Sequence, residues 1–158
     1  MTTKQRWIPK DPEYRAGLYK SIEQVPEHQR LRNYEERFRD RDCWSEYITD
    51  SQLLGDSVSD NHQRFVERAE QRWKSFVRSR GRHHALCVPQ DAEAYANYLL
   101  DEFSLIPSTA AEYWSDIERF YRWMFYHADY PHRYHPFVMA ATNYETSREL
   151  WNETIEPN

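Results

Sequence analysis

Two stretches of the chain repeat one spacing of apolar residues, and this repeat constrains the fold more than any other feature. The first set is Phe65, Ala69, Trp73 and Phe76, and the second is Tyr113, Ile117, Tyr121 and Met124. Each set lies at offsets of 0, 4, 8 and 11 residues, which places its side chains on one face of an α-helix. Polar residues that can cap a helix precede both sets, namely 59–61 and 108–109. The sequence therefore predicts two long amphipathic helices.

The remaining segments are also predicted to be helical. The chain has only three glycines among 158 residues, and tight β-hairpins usually need more. We predict helices at 27–48, from Asp60 to about Arg80 with Gly81 as the stop, from Pro89, from 107 to about His127, and at 137–142. A further turn or two is expected within 145–151. The prediction is an all-α bundle of four or more helices with an N-terminal arm.

Composition along the chain suggests three regions. Residues 1–58 contain an irregular, proline-containing arm followed by a charged helix, with a linker at 49–59. Residues 59–144 hold the two long helices and form the expected core domain. Residues 145–158 are expected to be a tail or the start of a linker. The charged helix at 27–48 is predicted to pack against the helix at 60–80 through Leu31, Tyr34 and Phe38.

Charge is segregated in a way that the net value of −5 conceals. Residues 60–86 hold seven Lys or Arg against three Asp or Glu, whereas 87–112 hold five acids and no base. A local basic surface can attract phosphate even on an acidic protein. Seventeen of the 21 basic residues are arginine, whose guanidinium suits bidentate contacts to phosphate and guanine. Nucleic acid is therefore a possible partner.

The sequence has no apolar run long enough to span a membrane, and its N-terminal residues lack the apolar stretch of a secretion signal. We expect a cytoplasmic protein, associated with the nucleoid if it binds DNA, with no membrane partner. Cys43 and Cys87 are expected to be buried free thiols. His83-His84 with Cys87 does not form a plausible zinc knuckle, so no metal or other cofactor is predicted.

The central part of the chain resembles the core-binding domain of tyrosine recombinases, the phage integrases. The resemblance is carried by 72–77, by Arg80-Gly81-Arg82, by 89–95, and by Ser108-Thr109 with the apolar residues that follow and His135-Pro136-Phe137. It covers about residues 60–142. In that family the domain is a SAM-like helical bundle that forms half of a clamp around duplex DNA, with two long helices against the major groove. The resemblance thus implies a DNA-binding module with a role in DNA integration or recombination.

The chain departs from the family where catalysis would reside. It contains no His-x-x-Arg box, and its tyrosines lack the arginine clamp and acid–base partner that phosphoryl transfer requires. We therefore expect no enzymatic activity and no small-molecule substrate. Double-stranded DNA is the expected partner, with possible self-association on DNA through residues 1–50. The alternative is a helical protein-interaction domain that docks through the helix at 27–48, or a DNA-binding regulator with no role in recombination.

The candidate DNA-binding residues lie on the predicted outward faces of the two long helices. On and after the first helix they are Arg64, Arg68, Gln71, Lys74, Arg78, Arg80 and Arg82; on the second they are Ser108, Thr109, Ser115, Arg119, Arg122 and Tyr126. For the arginines the alternative is an ordinary solvated charge paired with Glu67, Glu70 or Glu118. For Ser108 and Thr109 the alternative is a simple helix cap.

Overall fold

The computed structural model describes residues 10–53 and 59–155, and these residues form an all-α bundle. Four short 3-10 turns lie between Pro12 and Tyr34. The seven helices are α1 (Glu35–Phe38), α2 (Cys43–Ser51), α3 (Asp60–Ser79), α4 (Pro89–Asp101), α5 (Pro107–Tyr126), α6 (Pro136–Asn143) and α7 (Glu145–Ile155). No strand occurs within this part of the chain. The predicted fold class and the extents of the two long helices are confirmed.

Helix α3 begins and ends as its sequence predicts. The Ser59 hydroxyl accepts a hydrogen bond from the backbone N–H of His62, so it caps the first turn. At the other end, Gly81 has a φ of +75° and donates its N–H to the carbonyl of Arg78. The Arg82 N–H then returns to the carbonyl of Val77. This pattern is a Schellman motif, and it turns the chain sharply after α3.

Helix α5 is the centre of the bundle. It packs against α2, α3, α4, α6 and α7, and half of its residues are buried. The predicted inward residues Tyr113, Ile117, Phe120, Tyr121 and Met124 are buried. Two predicted orientations are wrong, however. Ala128, expected inside, is exposed, and Ser115, expected outside, is buried because α7 covers that side of the helix.

The predicted continuous helix at 27–48 does not form. Residues 27–38 form two 3-10 turns and the single turn of α1. Helix α2 then begins separately, because the Asp42 carboxylate caps it by accepting a hydrogen bond from the N–H of Ser45. The predicted packing on α3 is also wrong. Leu31 donates its N–H to the Tyr134 hydroxyl, and the Phe38 ring lies 6.1 Å from that of Tyr130. The break after residue 38 lets this segment turn toward 130–134.

The N-terminal arm and α7 both contribute to the core. In the arm, Ala16, Val25 and Leu31 are buried. At the other end α7, where a tail was expected, packs against α4, α5 and α6 and buries Trp151, whose indole Nε1 donates to the Lys10 carbonyl at 2.7 Å. The described parts of the three predicted regions therefore share one hydrophobic core. The linker predicted at 49–59 overlaps the end of α2, and 54–58 lie outside the described residues.

Candidate nucleic-acid interface

A polar stripe runs along the exposed side of α3. Arg64, Arg68, Gln71, Ser75 and Arg78 are all exposed and, at about 100° per residue, lie within a narrow sector of the helix. The three arginines form no ion pair with any residue that the structure describes. At about 1.5 Å per residue, the arginines span about 21 Å. We call these five residues the α3 stripe.

One acid interrupts the α3 stripe. Glu67 lies beside Arg64 and Arg68, and its carboxylate accepts a hydrogen bond from the Gln63 amide at 3.2 Å. It does not form an ion pair with either arginine among the described residues, so its charge weakens the stripe without neutralising a particular side chain. The stripe therefore remains positive overall.

The C-terminal end of the stripe opens into a groove of about 520 Å³. The groove lies between the segment 39–42, the end of α3 and the loop that follows it. Its basic lining residues are Arg39, Arg41, Lys74, Arg78 and Arg82, and its acidic ones are Glu35, Asp40 and Asp42. We call it the basic groove. Lys74, Arg78 and Arg82 are among the residues that the sequence predicts. Arg39 and Arg41 are not, because a charged helix at 27–48 gives no sign that these two arginines lie beside the end of α3.

Several cations of the basic groove are already paired within the protein. The Lys74 ammonium lies 2.9 Å from Asp42 and 2.6 Å from Glu70. Arg41 pairs with Glu46 at 2.9 Å, and this hydrogen bond raises the pKa of Arg41. Arg39 and Arg78 form no ion pair with a described residue. These two arginines are therefore the groove cations best placed to attract an external anion.

Arg80 and Arg82, both predicted to contact DNA, are held by one buried carboxylate. Asp91 is 1% exposed, and its two oxygens lie 2.6 Å from Arg80 Nε and 2.8 Å from Arg82 Nε. The same carboxylate accepts the N–H of Val88 at 2.9 Å, which fixes the start of α4. The two arginines thus join the end of α3 to the start of α4, and the carboxylate compensates one of their two positive charges.

Three of the six candidate residues of α5 have partners within the protein. Neither Ser108 nor Thr109 caps the helix, since the cap position is Ile106 and Pro107 follows it. The Ser115 hydroxyl lies 2.7 Å from that of Thr154 in α7. Arg119 pairs with Asp116 at 2.8 Å, and Arg122 pairs with the buried Glu118. Of the predicted α5 set, the exposed aromatic residue Tyr126 has no such role and is considered below.

The loop after α3 forms one wall of the basic groove and is anchored to the core. The His84 carbonyl accepts hydrogen bonds from the indole Nε1 of Trp73 and the hydroxyl of Tyr121, each at 2.8 Å. That same hydroxyl accepts the N–H of Cys87 at 3.0 Å. His132 Nε2 lies 2.7 Å from the Ala85 carbonyl. Four hydrogen bonds to buried side chains therefore fix the loop in place.

Cys43, His83 and His84 place their potential metal-ligating atoms within 4.8 Å of one another. Three of the four ring nitrogens of His83 and His84 nevertheless have hydrogen-bond partners. His84 Nε2 accepts the N–H of Cys43 at 3.0 Å, and His83 bonds the carbonyl of Arg41 through Nε2 and the N–H of Ala85 through Nδ1. Burial raises the pKa of the Cys43 thiol to about 11, so it is protonated at neutral pH. This donor set fits a structural role, in which it holds 41–44 against the loop, better than it fits zinc.

The pH dependence of stability should reveal the burial of His132. Burial lowers the pKa of His132 from 6.5 to about 4, so the unfolded chain takes up this proton at a higher pH than the folded one. The stabilisation is complete above pH 6.5 and is lost as the pH falls toward 4, at about 1.4 kcal/mol per pH unit. We expect the destabilisation caused by His132→Gln at pH 7.5 to shrink by about 2 kcal/mol at pH 5. Urea denaturation of both proteins at the two pH values measures this, and a constant difference would contradict it.

Comparisons with known proteins do not assign the chain to a family. No family model matches it, and neither the curated proteins nor the solved structures include a significant match. Within the described residues no helix is both long and apolar enough to cross a membrane.

Proposed function

We propose that this chain is a DNA-binding module that contacts the phosphates of duplex DNA through the α3 stripe and the basic groove. One observation supports the proposal above the others. Arg64, Arg68 and Arg78 point away from the core along about 21 Å of one helix without an ion pair to a described residue. Arginine suits phosphate because its planar guanidinium can donate two parallel hydrogen bonds.

The proposal differs from the sequence-based expectation in its geometry. The sequence suggested that two long helices grip DNA, whereas α5 lies at the centre of the bundle and its candidate arginines are paired internally. In the revised proposal α3 alone lies along the backbone or the groove, and Arg39 extends the contact at its end. A connection to DNA recombination, and self-association on DNA, remain predictions of the family resemblance alone.

The alternative function is less well supported. A protein-interaction domain was expected to dock through a continuous charged helix at 27–48, and that helix is broken into short turns and the start of α2. Several of its charges also have partners inside the protein, such as the pair between Arg41 and Glu46. No observation therefore favours this segment over the α3 stripe as the principal binding surface.

DNA binding should depend strongly on salt. If Arg39, Arg64, Arg68 and Arg78 each neutralise one phosphate, the slope of log K against log salt should be about −4. The triple variant Arg64→Ala, Arg68→Ala, Arg78→Ala should reduce that slope to about −1, because one phosphate contact is lost with each arginine. Fluorescence anisotropy with a labelled duplex between 50 and 300 mM salt measures both slopes.

Two matched variants sharpen this test. The first is a control triple variant that removes the same charge elsewhere, namely Arg32→Ala, Arg133→Ala, Arg148→Ala. These positions are exposed or half-buried, lie outside α3 and do not line the basic groove. The salt slope of this variant should therefore match that of the parent protein. Glu67→Gln removes the acid within the stripe and should strengthen binding. If both triple variants weaken binding equally, only net charge matters and the α3 stripe is not the interface. A flat salt response of the parent protein would remove the DNA proposal.

A further inference from the structure

A second pocket, separate from the basic groove, lies where the N-terminal arm meets α5 and α7. Its volume is about 310 Å³, and none of its lining residues lines the basic groove. The lining is aromatic and basic: Tyr14, Phe125, Tyr126 and Trp151 contribute rings, and Arg15 and Arg122 contribute charge. No carboxylate is among the described residues that line it. This composition differs from that of the basic groove, which contains three acids.

Two of the aromatic side chains are unusually exposed. Tyr14 is 64% exposed and Tyr126 is 76% exposed, although both are large rings that could bury much of their surface on a partner. Both line the same pocket. Flat π faces that remain open beside a cavity are suited to stacking on another flat ring.

Both arginines of the pocket are among its lining residues. Burial lowers the pKa of the Arg15 guanidinium and the charge of Arg122 lowers it further, whereas the charge of Glu118 acts in the opposite direction. The Arg15 guanidinium lies 5.3 Å from the ring centroid of Trp151, and Arg122 Nε donates to Glu118 at 3.0 Å. Glu118 is only 4% exposed and also bonds His135 at 3.1 Å, so its carboxylate is occupied within the core. An anion between the arginines would relieve their repulsion.

We propose that this pocket binds a nucleotide unit, with its base stacked on Tyr126, the more exposed of the two rings, and its phosphate between Arg15 and Arg122. The volume lies at the lower end of the range for small-molecule sites and suits one nucleotide rather than two. Arginine supplies the planar donor pair that a phosphate accepts. The nucleotide can be free or can be the 5′-terminal residue of a single strand, since the two share this chemistry. The proposal does not depend on duplex binding by the α3 stripe, and it departs from the sequence-based expectation of no small-molecule ligand.

Isothermal titration calorimetry of the full chain with AMP tests the proposal. We expect one site, with AMP binding about tenfold or more tightly than adenosine or inorganic phosphate, because stacking and charge act together only in the nucleotide. Titration with short single strands that carry a 5′-phosphate or a 5′-hydroxyl separates the two sources. A 5′-phosphate preference identifies a strand end, and AMP binding without it identifies a free nucleotide. No binding of AMP, or equal binding of O-phosphotyrosine, would overturn the assignment.

Variants locate the site. Tyr126→Ala should weaken AMP binding about tenfold without affecting the fold, because that side chain is mostly exposed. Arg122→Gln should weaken it further. Ile106→Ala, which removes a 65% exposed apolar side chain at the other end of α5, should leave AMP affinity unchanged. If the parent protein and Tyr126→Ala bind AMP with equal affinity, AMP binds elsewhere and the assignment is wrong. If Tyr126→Ala binds duplex DNA as the parent does, the pocket and the α3 stripe act separately.

Discussion

Replacing Trp73 with alanine should lower the free energy of unfolding by about 4 kcal/mol, near the upper part of the range for large-to-small substitutions in cores. Trp73 is fully buried, and its ring makes edge contacts with Tyr95, Tyr121 and Phe137 at centroid distances of 5.0 to 6.3 Å. Alanine would leave a cavity that these rigid rings cannot fill by small movements. It would also remove the donor to the His84 carbonyl. Urea denaturation followed by circular dichroism measures the loss.

Trp73→Phe separates packing from hydrogen bonding. Phenylalanine keeps much of the ring volume but has no N–H, and Tyr121 still donates to the His84 carbonyl. We expect a loss of about 1 to 2 kcal/mol for this variant, well below that of alanine. Equal losses for the two variants would mean that the hydrogen bond, rather than the cavity, determines the cost.

Replacing Asp91 with asparagine should lower the free energy of unfolding by about 3 kcal/mol. The substitution removes a buried charge from two arginines, and breaking a buried ion pair from one side is strongly destabilising. It also weakens the bond to the N–H of Val88 that fixes the start of α4. Thermal and urea denaturation in parallel measure the change.

Asp116→Asn is the matched control for Asp91→Asn. Asp116 also pairs with an arginine, but desolvation raises the pKa of its carboxyl to about 6, so its ionised form is already unfavourable. Because the neutral amide avoids this desolvation cost, we expect Asp116→Asn not to lower the free energy of unfolding. A similar loss for both variants would contradict the role assigned to Asp91. Since Asp91→Asn also removes the partner of Arg82, which lines the basic groove, the folded variant should bind duplex DNA more tightly than the parent.

The sequence was sufficient to predict the parts of the fold that are set by local patterns. The spacing of Phe65, Ala69, Trp73 and Phe76, the cap at Ser59 and the stop at Gly81 depend on neighbouring residues, and helix α3 follows from them. The buried state of Cys43 and Cys87 is confirmed as well. Helical periodicity assigns one inward face to each helix, and this is adequate for a helix that is covered on one side.

Periodicity failed where a helix is covered on several sides or where contacts are distant in sequence. Ser115 lies opposite the main apolar face of α5, and only the position of α7 shows that it is buried. Likewise, the pattern of 27–48 is compatible with a helix, but Leu31 and Phe38 are held by residues about 100 positions away. The basic groove was missed in part for the same reason, since Arg39 joins Arg78 only in three dimensions.

The anchored loop after α3 has a consequence for how the basic groove would recognise a ligand. The side chains of Trp73, Tyr121 and His132 form hydrogen bonds to backbone groups of this loop. The backbone of this wall is therefore fixed before a ligand binds. A protein that is pre-organised loses little backbone entropy when it binds. Only the long side chains of Arg39 and Arg78 would have to become ordered around a phosphate. In this groove, two flexible arginine side chains would therefore close on a phosphate while the backbone stays fixed. Selectivity would come from the distance between the two arginines, which the fixed backbone sets.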